Sequence, residues 1–324
     1  MLPDGSRARI AVFISGTGTN MAALLYASRV EDAAFEVALV ASNVEDAAGL
    51  ALAKLEGVPT FTHSHTGCSR EEQDSAMERA ALDAGADYIV LAGYMRILSQ
   101  SFVERWEGRL LNIHPSLLPK YRGLNTFKRA IEAGDSHAGS SVHIVTPELD
   151  AGEVLAQVRV AIAQDDTPES LAQRVKIAEH QLYPRAVSEY VSREHDPDFL
   201  YSKLSKLALA LPETHQRESH GSPGFRVGTE KSGKFFAHFH DGHHGSPHIA
   251  VLVKTESMDE LLTLVENRPE TYFKPAYYGA SGWVGVILNR PGVDWGHIQN
   301  WLQRSWHSVA PTRLTRLLNA ADMS

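Results

Sequence analysis

The first 113 residues alternate short apolar runs with segments of helical periodicity, and this alternation restricts the fold more than any other feature. Strands are predicted where Val, Ile, Leu and Phe dominate, at 9–15, 36–42, 88–92 and 109–113. Helices are predicted at 21–29, 47–56, 70–84 and 99–106, with Asn20, Ser69 and Ser99 as N-caps. Such alternation predicts an α/β fold with a doubly wound, mostly parallel sheet.

The pattern changes after residue 139. Two strand-like runs, 140–146 and 154–162, precede a long helix from about 168 to 191. The polar stretch 193–198 is interpreted as a linker. A chain of 324 residues suits two domains, which we place at 1–192 and 199–324.

The second half has a different character and predicts a smaller α+β domain. Helices are expected at 200–211, 257–267 and 295–308, and strands at 224–228, 234–240, 248–254 and 283–288. Four of the five tryptophans lie here, at positions 283, 295, 301 and 306.

Composition limits the compartment and the partners. Cys68 is the only cysteine, which excludes an intramolecular disulfide and fits a reducing compartment. No apolar run approaches 18 residues, so we expect a cytoplasmic protein without a membrane span. Residues 1–196 carry 18 Lys and Arg against 27 Asp and Glu, and residues 197–324 carry 13 against 12. Neither half has the basic excess of a nucleic-acid-binding surface.

The predicted strand at 109–113 runs directly into His114 and Pro115. Asn112 and His114 are two positions apart, so both side chains point to the same face of the strand. In open α/β sheets ligands bind at strand ends of this kind. An amide can hold a developing oxyanion and an imidazole can transfer a proton near neutral pH. The alternative is a buried core histidine beside a turn-forming asparagine.

The segment Ser15-Gly16-Thr17-Gly18-Thr19-Asn20 joins the first strand to the first helix. Free N–H groups and the positive end of the helix dipole favour a phosphate here, although such a turn can also be only a sharp corner. A dinucleotide site would require a third glycine at position 21 and an acid after the second strand. The chain has Met21 and Ser42-Asn43 there, which argues against an oxidoreductase.

Four motifs occur in an order that resembles the folate-dependent formyltransferases, in particular those acting on glycinamide ribonucleotide (GAR). They are Ile14–Asn20, Leu91–Leu98, Leu111–Gly123 and the segment from Ser140 through Asp150-Ala151-Gly152. The resemblance covers about residues 8–192. It implies formyl transfer from 10-formyltetrahydrofolate to the amine of GAR in purine biosynthesis, with no metal.

The resemblance also implies residue roles. Asn112 and His114 would hold the oxyanion, and Asp150 would stabilise the imidazolium and order a water; without the resemblance Asp150 is simply a turn residue. The phosphate of GAR would be held by Gly18, Thr19 and Asn20. Glu179 would contact the same substrate, its alternative being an ordinary solvated helix residue. The folate site would be formed by Arg70, Met95, Arg96, Ile97, Leu98 and Asn112. His143 is left open, as either a residue lining this site or a packed strand residue.

Two departures from the family concern fine tuning: Asn125 stands where members often have His, and Thr17 where some have Asn. Alternatives to GAR formyl transfer are another 10-formyltetrahydrofolate-using formyltransferase, a hydrolase, or a non-catalytic folate-binding regulator. A formyltransferase acting on methionyl-tRNA would carry a basic tRNA-binding domain at its C-terminal end, and a formyltetrahydrofolate hydrolase would carry an extra N-terminal regulatory domain.

The second half resembles the MmcQ/YjbR-like domains. The resemblance is carried by Leu211-Pro212-Glu213, by 224–228 before 234–237, and by the Trp-rich helix before Ala310-Pro311. We expect this domain to mediate protein contacts or a homodimer. The segment His238–Gly245 is interpreted as a hairpin with exposed histidines rather than a metal site, because zinc prefers ligands from several elements.

Overall fold

The computed structural model describes residues 6–64, 66–219, 221–229, 233–242 and 246–321. The chain divides into two compact units at residues 192 and 193. In the first unit the strands are β1 (Ala8–Ile14), β2 (Phe35–Ser42), β3 (Thr60–Thr62), β4 (Tyr88–Leu91), β5 (Leu110–His114), β6 (His137–Ile144) and β7 (Val154–Ala161). Its helices are α1 (Thr19–Ala27), α2 (Ala48–Leu55), α3 (Arg70–Asp83), α4 (Gln100–Arg105), α5 (Thr126–Glu132) and α6 (Pro168–Arg193).

The seven strands form one sheet in the order β3-β2-β1-β4-β5-β6-β7. The pairings from β3 to β5 are parallel, and β6 and β7 are added antiparallel. The α/β, doubly wound and mostly parallel fold class is therefore confirmed. Strand order reverses between β1 and β4, which creates a crevice at the carboxyl ends of the strands where open α/β sheets bind ligands.

Helices cover both faces of the sheet because most of its strands are apolar on both sides. One buried cluster joins the sheet to α1, α2 and α6, and another joins the opposite face to α3 and α4. Tyr183 and Tyr190 of α6 donate hydrogen bonds to the carbonyls of Leu91 and Gly108. These contacts fasten the long helix to the carboxyl end of β4 and to the turn before β5.

The second unit contains an antiparallel sheet in the order β12-β13-β11-β10-β9-β8. Its elements are α7 (Pro197–Leu209), β8 (Thr214–Ser219), β9 (Ser222–Val227), β10 (Lys234–Asp241), β11 (Ile249–Lys254), α8 (Met258–Asn267), β12 (Tyr272–Phe273), β13 (Trp283–Ile287), α9 (Trp295–Val309) and α10 (Thr312–Ala321). Leu204, Trp301 and Trp306 lie in its core. The expected smaller α+β domain is confirmed.

Two local predictions are wrong. Gly18, with φ 71°, occupies the N-cap position of α1 instead of Asn20. The stretch 193–198, interpreted as a linker, lies where the chain divides into two units: α6 ends at Arg193, and the Asp196 side chain caps α7 through the N–H of Phe199. His238 is buried among the rings of Phe235, Tyr278 and Trp283 rather than exposed, and His243 and His244 lie outside the described residues. Ser69 and Ser99 do cap α3 and α4 as expected.

Among the described helices, none combines the length and the apolar character that a membrane crossing requires.

Candidate active site

Asn112 and His114 occupy the carboxyl end of β5, between parallel β4 and antiparallel β6. The register sets Asn112 opposite His143 and His114 opposite Ser141. Directly opposed residues of an antiparallel pair share a face of the sheet, so the amide and three polar side chains meet there. The sheet topology thus brings His143 into the group.

Asp150 reaches the same point from the loop that follows β6. Its Oδ2 lies 3.4 Å from Nδ1 of His114 and accepts a hydrogen bond of 2.9 Å from the N–H of Gly123. Only 8% of the His114 side chain and 6% of the Asp150 side chain are exposed. Asp150 has φ 49°, a left-handed conformation that aspartate tolerates in turns.

The contact of the other imidazole nitrogen, Nε2, shows which nitrogen of neutral His114 carries the hydrogen. Nε2 lies 3.0 Å from the carbonyl oxygen of Tyr121. A carbonyl oxygen only accepts, so Nε2 carries a hydrogen. Nδ1, which faces Asp150, is therefore the nitrogen free to gain or lose a proton.

His143 holds the amide of Asn112. Its Nδ1 lies 2.9 Å from the carbonyl of Ile144 and must donate, so Nε2 of the neutral ring accepts from Nδ2 of Asn112 at 3.2 Å. Burial lowers the pKa of His143 below the ordinary value of 6.5, which favours this neutral form. Oδ1 of Asp150 lies 3.7 Å from Nε2 of His143. The amide keeps a second N–H for a ligand.

Sequence reasoning left His143 open because nothing in the chain reveals strand pairing. A prediction that β6 runs antiparallel to β5 would have placed it opposite Asn112.

The loop before α1, predicted to bind a phosphate, turns tightly against α2. The backbone of Gly18 is left-handed, and a Cβ on it would lie 2.8 Å from Cα of Gly49. Asn20 donates a 2.8 Å hydrogen bond to Glu179, whose other oxygen accepts from Ser140. Glu179 is 7% exposed, so it is not an ordinary solvated helix residue. Oδ1 of Asn20 is buried and has no hydrogen-bond partner among the described residues.

The segment after β4 is tied to the same loop. The N–H of Met95 donates to Oγ of Ser15, and the N–H of Ser15 donates to the carbonyl of Gly93. Met95 and Ile97 are 72% and 62% exposed. On the opposite loops Leu124 and Leu149 are also exposed. Large apolar side chains facing water beside polar groups fit a flat heterocyclic ligand.

The remaining predicted folate residues differ in position. Arg96 is half-buried after β4, whereas Leu98 is buried in the core with α4. Arg70 is exposed at the start of α3, behind the Ser69 cap. The structure therefore leaves Met95, Arg96, Ile97 and Arg70 accessible to a ligand.

No group of three or more His, Cys, Asp and Glu side chains within the described ranges has the arrangement of a metal site.

Comparison with known proteins identifies both halves. Residues 8–187 match the family described as formyl transferase, and residues 209–308 match YjbR. The chain is 44% identical over 180 residues to phosphoribosylglycinamide formyltransferase of Escherichia coli, covering 55% of this chain and 85% of that protein. It is 42% identical over 185 residues to the human trifunctional purine biosynthetic protein adenosine-3, covering 57% of this chain but only 18% of that protein.

A crystal structure of phosphoribosylglycinamide formyltransferase from Brucella melitensis superposes with a TM-score of 0.55 at 44% identity, covering 57% of this chain and 96% of that one. The resemblance of the first half to the folate-dependent formyltransferases and of the second half to YjbR is thus confirmed. Since the matching region spans more than half of its residues, the chain belongs to the formyl transferase family.

Proposed function

We propose that this protein transfers the formyl group of 10-formyltetrahydrofolate to the amine of GAR, in purine biosynthesis. The observation that carries the proposal is the paired arrangement of Asn112 with His143 and of His114 with Asp150, at the carboxyl end of β5. An amide donor, a histidine–carboxylate pair and an anion site are what acyl transfer to a phosphorylated amine requires. The relatives that bear the name phosphoribosylglycinamide formyltransferase support the choice of GAR.

The reaction proceeds by direct attack. The amine nitrogen bonds to the formyl carbon, and the carbonyl oxygen becomes an oxyanion that Asn112 and protonated His114 stabilise. The bond from that carbon to the folate nitrogen then breaks. The amine loses one proton and the folate nitrogen gains one, and Asp150 with an ordered water assists this transfer. Asp150 is suited to the role because it faces Nδ1, the exchangeable nitrogen of His114.

Binding is divided between two regions. Gly18, Thr19 and Asn20 hold the phosphate through N–H groups at the start of α1, and buried Glu179 contacts the remainder of GAR. The exposed side chains of Met95 and Ile97 flank the pterin, and Arg70 and Arg96 attract the carboxylates of the folate tail. A cytoplasmic location belongs to this proposal, since the single Cys68 fits a reducing compartment.

The test measures formation of formyl-GAR by mass spectrometry after the purified protein is mixed with both substrates. Asp150→Asn should reduce the rate about 10²-fold or more, the scale of a lost acid–base contribution. Glu148→Gln is the matched control, because Glu148 lies on the same loop with a 75% exposed side chain paired to Arg122. Equal rates for Asp150→Asn and wild type would refute the role of Asp150.

The alternatives give different products in the same experiment. Consumption of 10-formyltetrahydrofolate without GAR would indicate a hydrolase, and binding without consumption would indicate a regulator. Formylation of methionyl-tRNA in place of GAR would indicate a different acceptor. Any of these outcomes would overturn the proposal.

A further inference from the structure

Tyr121 contributes its main-chain carbonyl, not its side chain, to the candidate active site. That carbonyl accepts the hydrogen bond from Nε2 of His114 at 3.0 Å. Tyr121 has φ 57°, in the left-handed region that non-glycine residues rarely occupy. Such a conformation persists only where surrounding contacts hold it, so the contacts of Tyr121 are informative.

These contacts are made by the hydroxyl and the ring of Tyr121. The Tyr121 hydroxyl donates a 2.9 Å hydrogen bond to Oδ2 of Asp135, and Nζ of Lys120 donates to both carboxylate oxygens at 2.9 and 3.1 Å. The guanidinium of Arg129 lies 5.1 Å from the centre of the Tyr121 ring. Hydrogen bonds from Lys120 and then Tyr121 lower the pKa of Asp135, so its carboxylate is ionised at neutral pH.

The main chain on each side of Tyr121 is restrained in the same way. The carbonyl of Lys120 accepts from Oγ of Ser116 at 2.7 Å, and the carbonyl of Arg122 accepts from Nη1 of Arg129 at 2.7 Å. Three consecutive carbonyls are thus each held by a side chain. A cavity of about 190 Å³ borders the Tyr121 ring and Asp135. One side of Tyr121 packs against a small buried apolar cluster that includes Ala130 and Leu171. The hydrogen bond from the Tyr121 hydroxyl to Asp135 adds a directional polar contact at the end of the ring.

We propose that Tyr121 and Asp135 are positioning residues, which aim the Tyr121 carbonyl at Nε2 of His114. The hydrogen of the neutral imidazole then stays on Nε2, and Nδ1, opposite Asp150, is the nitrogen that gains and loses a proton. Tyr121 touches no reacting atom and acts through His114. If the carbonyl turned away, the neutral imidazole could carry its hydrogen on either nitrogen. The form with hydrogen on Nδ1 cannot accept a proton at the atom facing Asp150.

The expected change in kcat rests on the proposed formyl transfer, whereas the expected change in which His114 nitrogen carries the hydrogen does not. Tyr121→Phe removes only the hydroxyl, and Asp135→Asn removes the negative charge that the hydroxyl and Lys120 bind. Each should lower kcat about 3- to 10-fold, the scale of one hydrogen bond, with KM for both substrates little changed. The double variant should be no slower than the slower single variant, because both changes break one contact.

Glu132→Gln is the matched control. Glu132 is a carboxylate three residues before Asp135, 63% exposed and paired only loosely with Lys128 at 3.7 Å. It should leave kcat unchanged.

The second readout is the ¹⁵N chemical shift of each His114 imidazole nitrogen in the substrate-free protein, which reports the nitrogen that carries the hydrogen. Wild type should show hydrogen on Nε2, and both variants a mixture of the two forms. Unchanged shifts together with normal kcat in folded variants would overturn the proposal. Absence of formyl transfer by wild type would instead defeat the proposed function, while the shifts would still test the positioning role.

Discussion

Replacing Asn112 by alanine removes a hydrogen-bond donor from the point where the formyl oxygen would become charged. In the structure one N–H of the amide is engaged by His143, which fixes the orientation of the other. The loss therefore concerns a preorganised donor rather than a mobile side chain. Loss of one such donor costs about 2.7–4 kcal/mol in the transition state, or about 10²–10³-fold in kcat.

The same substitution leaves Nε2 of His143 without its donor in a buried position. An unsatisfied buried acceptor costs about 1–3 kcal/mol of folding free energy. Since domains are typically stable by about 5–15 kcal/mol, the variant should remain folded at 25 °C. The loss of kcat can then be separated from the loss of stability.

The assay is the initial rate of formyl-GAR formation at saturating substrates, with the free energy of unfolding measured in urea on the same samples. GAR affinity should change little, because the residues proposed to hold its phosphate lie at the start of α1 and not on β5. Asn112→Asp keeps the shape of the side chain but not its donors, and should lose at least as much activity. A kcat within about threefold of wild type in folded Asn112→Ala would refute the oxyanion role.

Four further predictions concern binding, domains and pH. Glu179→Gln should raise KM for GAR about tenfold, as expected for a lost charge-assisted hydrogen bond, and an unchanged KM would remove it from the binding site. Sulfate should occupy the loop 18–20 in crystals grown with that anion, and an empty loop with sulfate bound elsewhere would contradict the phosphate assignment. A shortened chain of residues 1–196 should retain kcat within about twofold, because the first unit has its own core; loss of activity would show that the units depend on each other. Burial lowers the pKa of His143, so below pH 6.5 the unfolded chain binds a proton more readily than the folded chain does, and the melting temperature should fall as the pH drops. His143→Gln should weaken this pH dependence of the melting temperature. An equal dependence in both proteins would assign it to other groups.

The sequence was sufficient for the sheet because its signals are local. Buried strands such as β1 and β4 are mostly apolar, and Ser69 and Ser99 are adjacent to the helices they cap. Short elements escaped prediction, since the three residues of β3 and the two of β12 show no periodicity. The N-cap of α1 was misplaced because the favourable side chain of Asn20 is used by Glu179 instead.

The site was predictable only where the family motif carried it. Asn112 and His114 are neighbours on one strand, but the approach of Asp150 depends on how the loop after β6 folds back toward β5, which sequence patterns do not indicate. The part played by Tyr121 is still less visible, because any residue has a carbonyl and only the fold determines its direction. The exposure predicted for His238 is wrong for a related reason. Its burial depends on the rings of Tyr278 and Trp283, which are distant in the sequence and cover it only in the folded chain.

The contact between Gly18 and Gly49 has a consequence for how freely this protein can vary. Gly49 belongs to α2 and not to the loop at 15–18. A Cβ on Gly49 would nevertheless lie 2.6 Å from Cδ1 of Ile14 and 3.0 Å from Cα of Gly18. A substitution of Gly49 must therefore displace either the loop or the helix that packs against it. In a randomised library, position 49 should be as intolerant as position 18, and its neutral substitutions should appear only together with a smaller residue at position 14. The conformation of the loop at 15–18 thus depends on a residue outside it. If the loop binds phosphate as proposed, a graft of residues 15–20 onto another α/β scaffold should bind phosphate only when the second glycine is transferred with it.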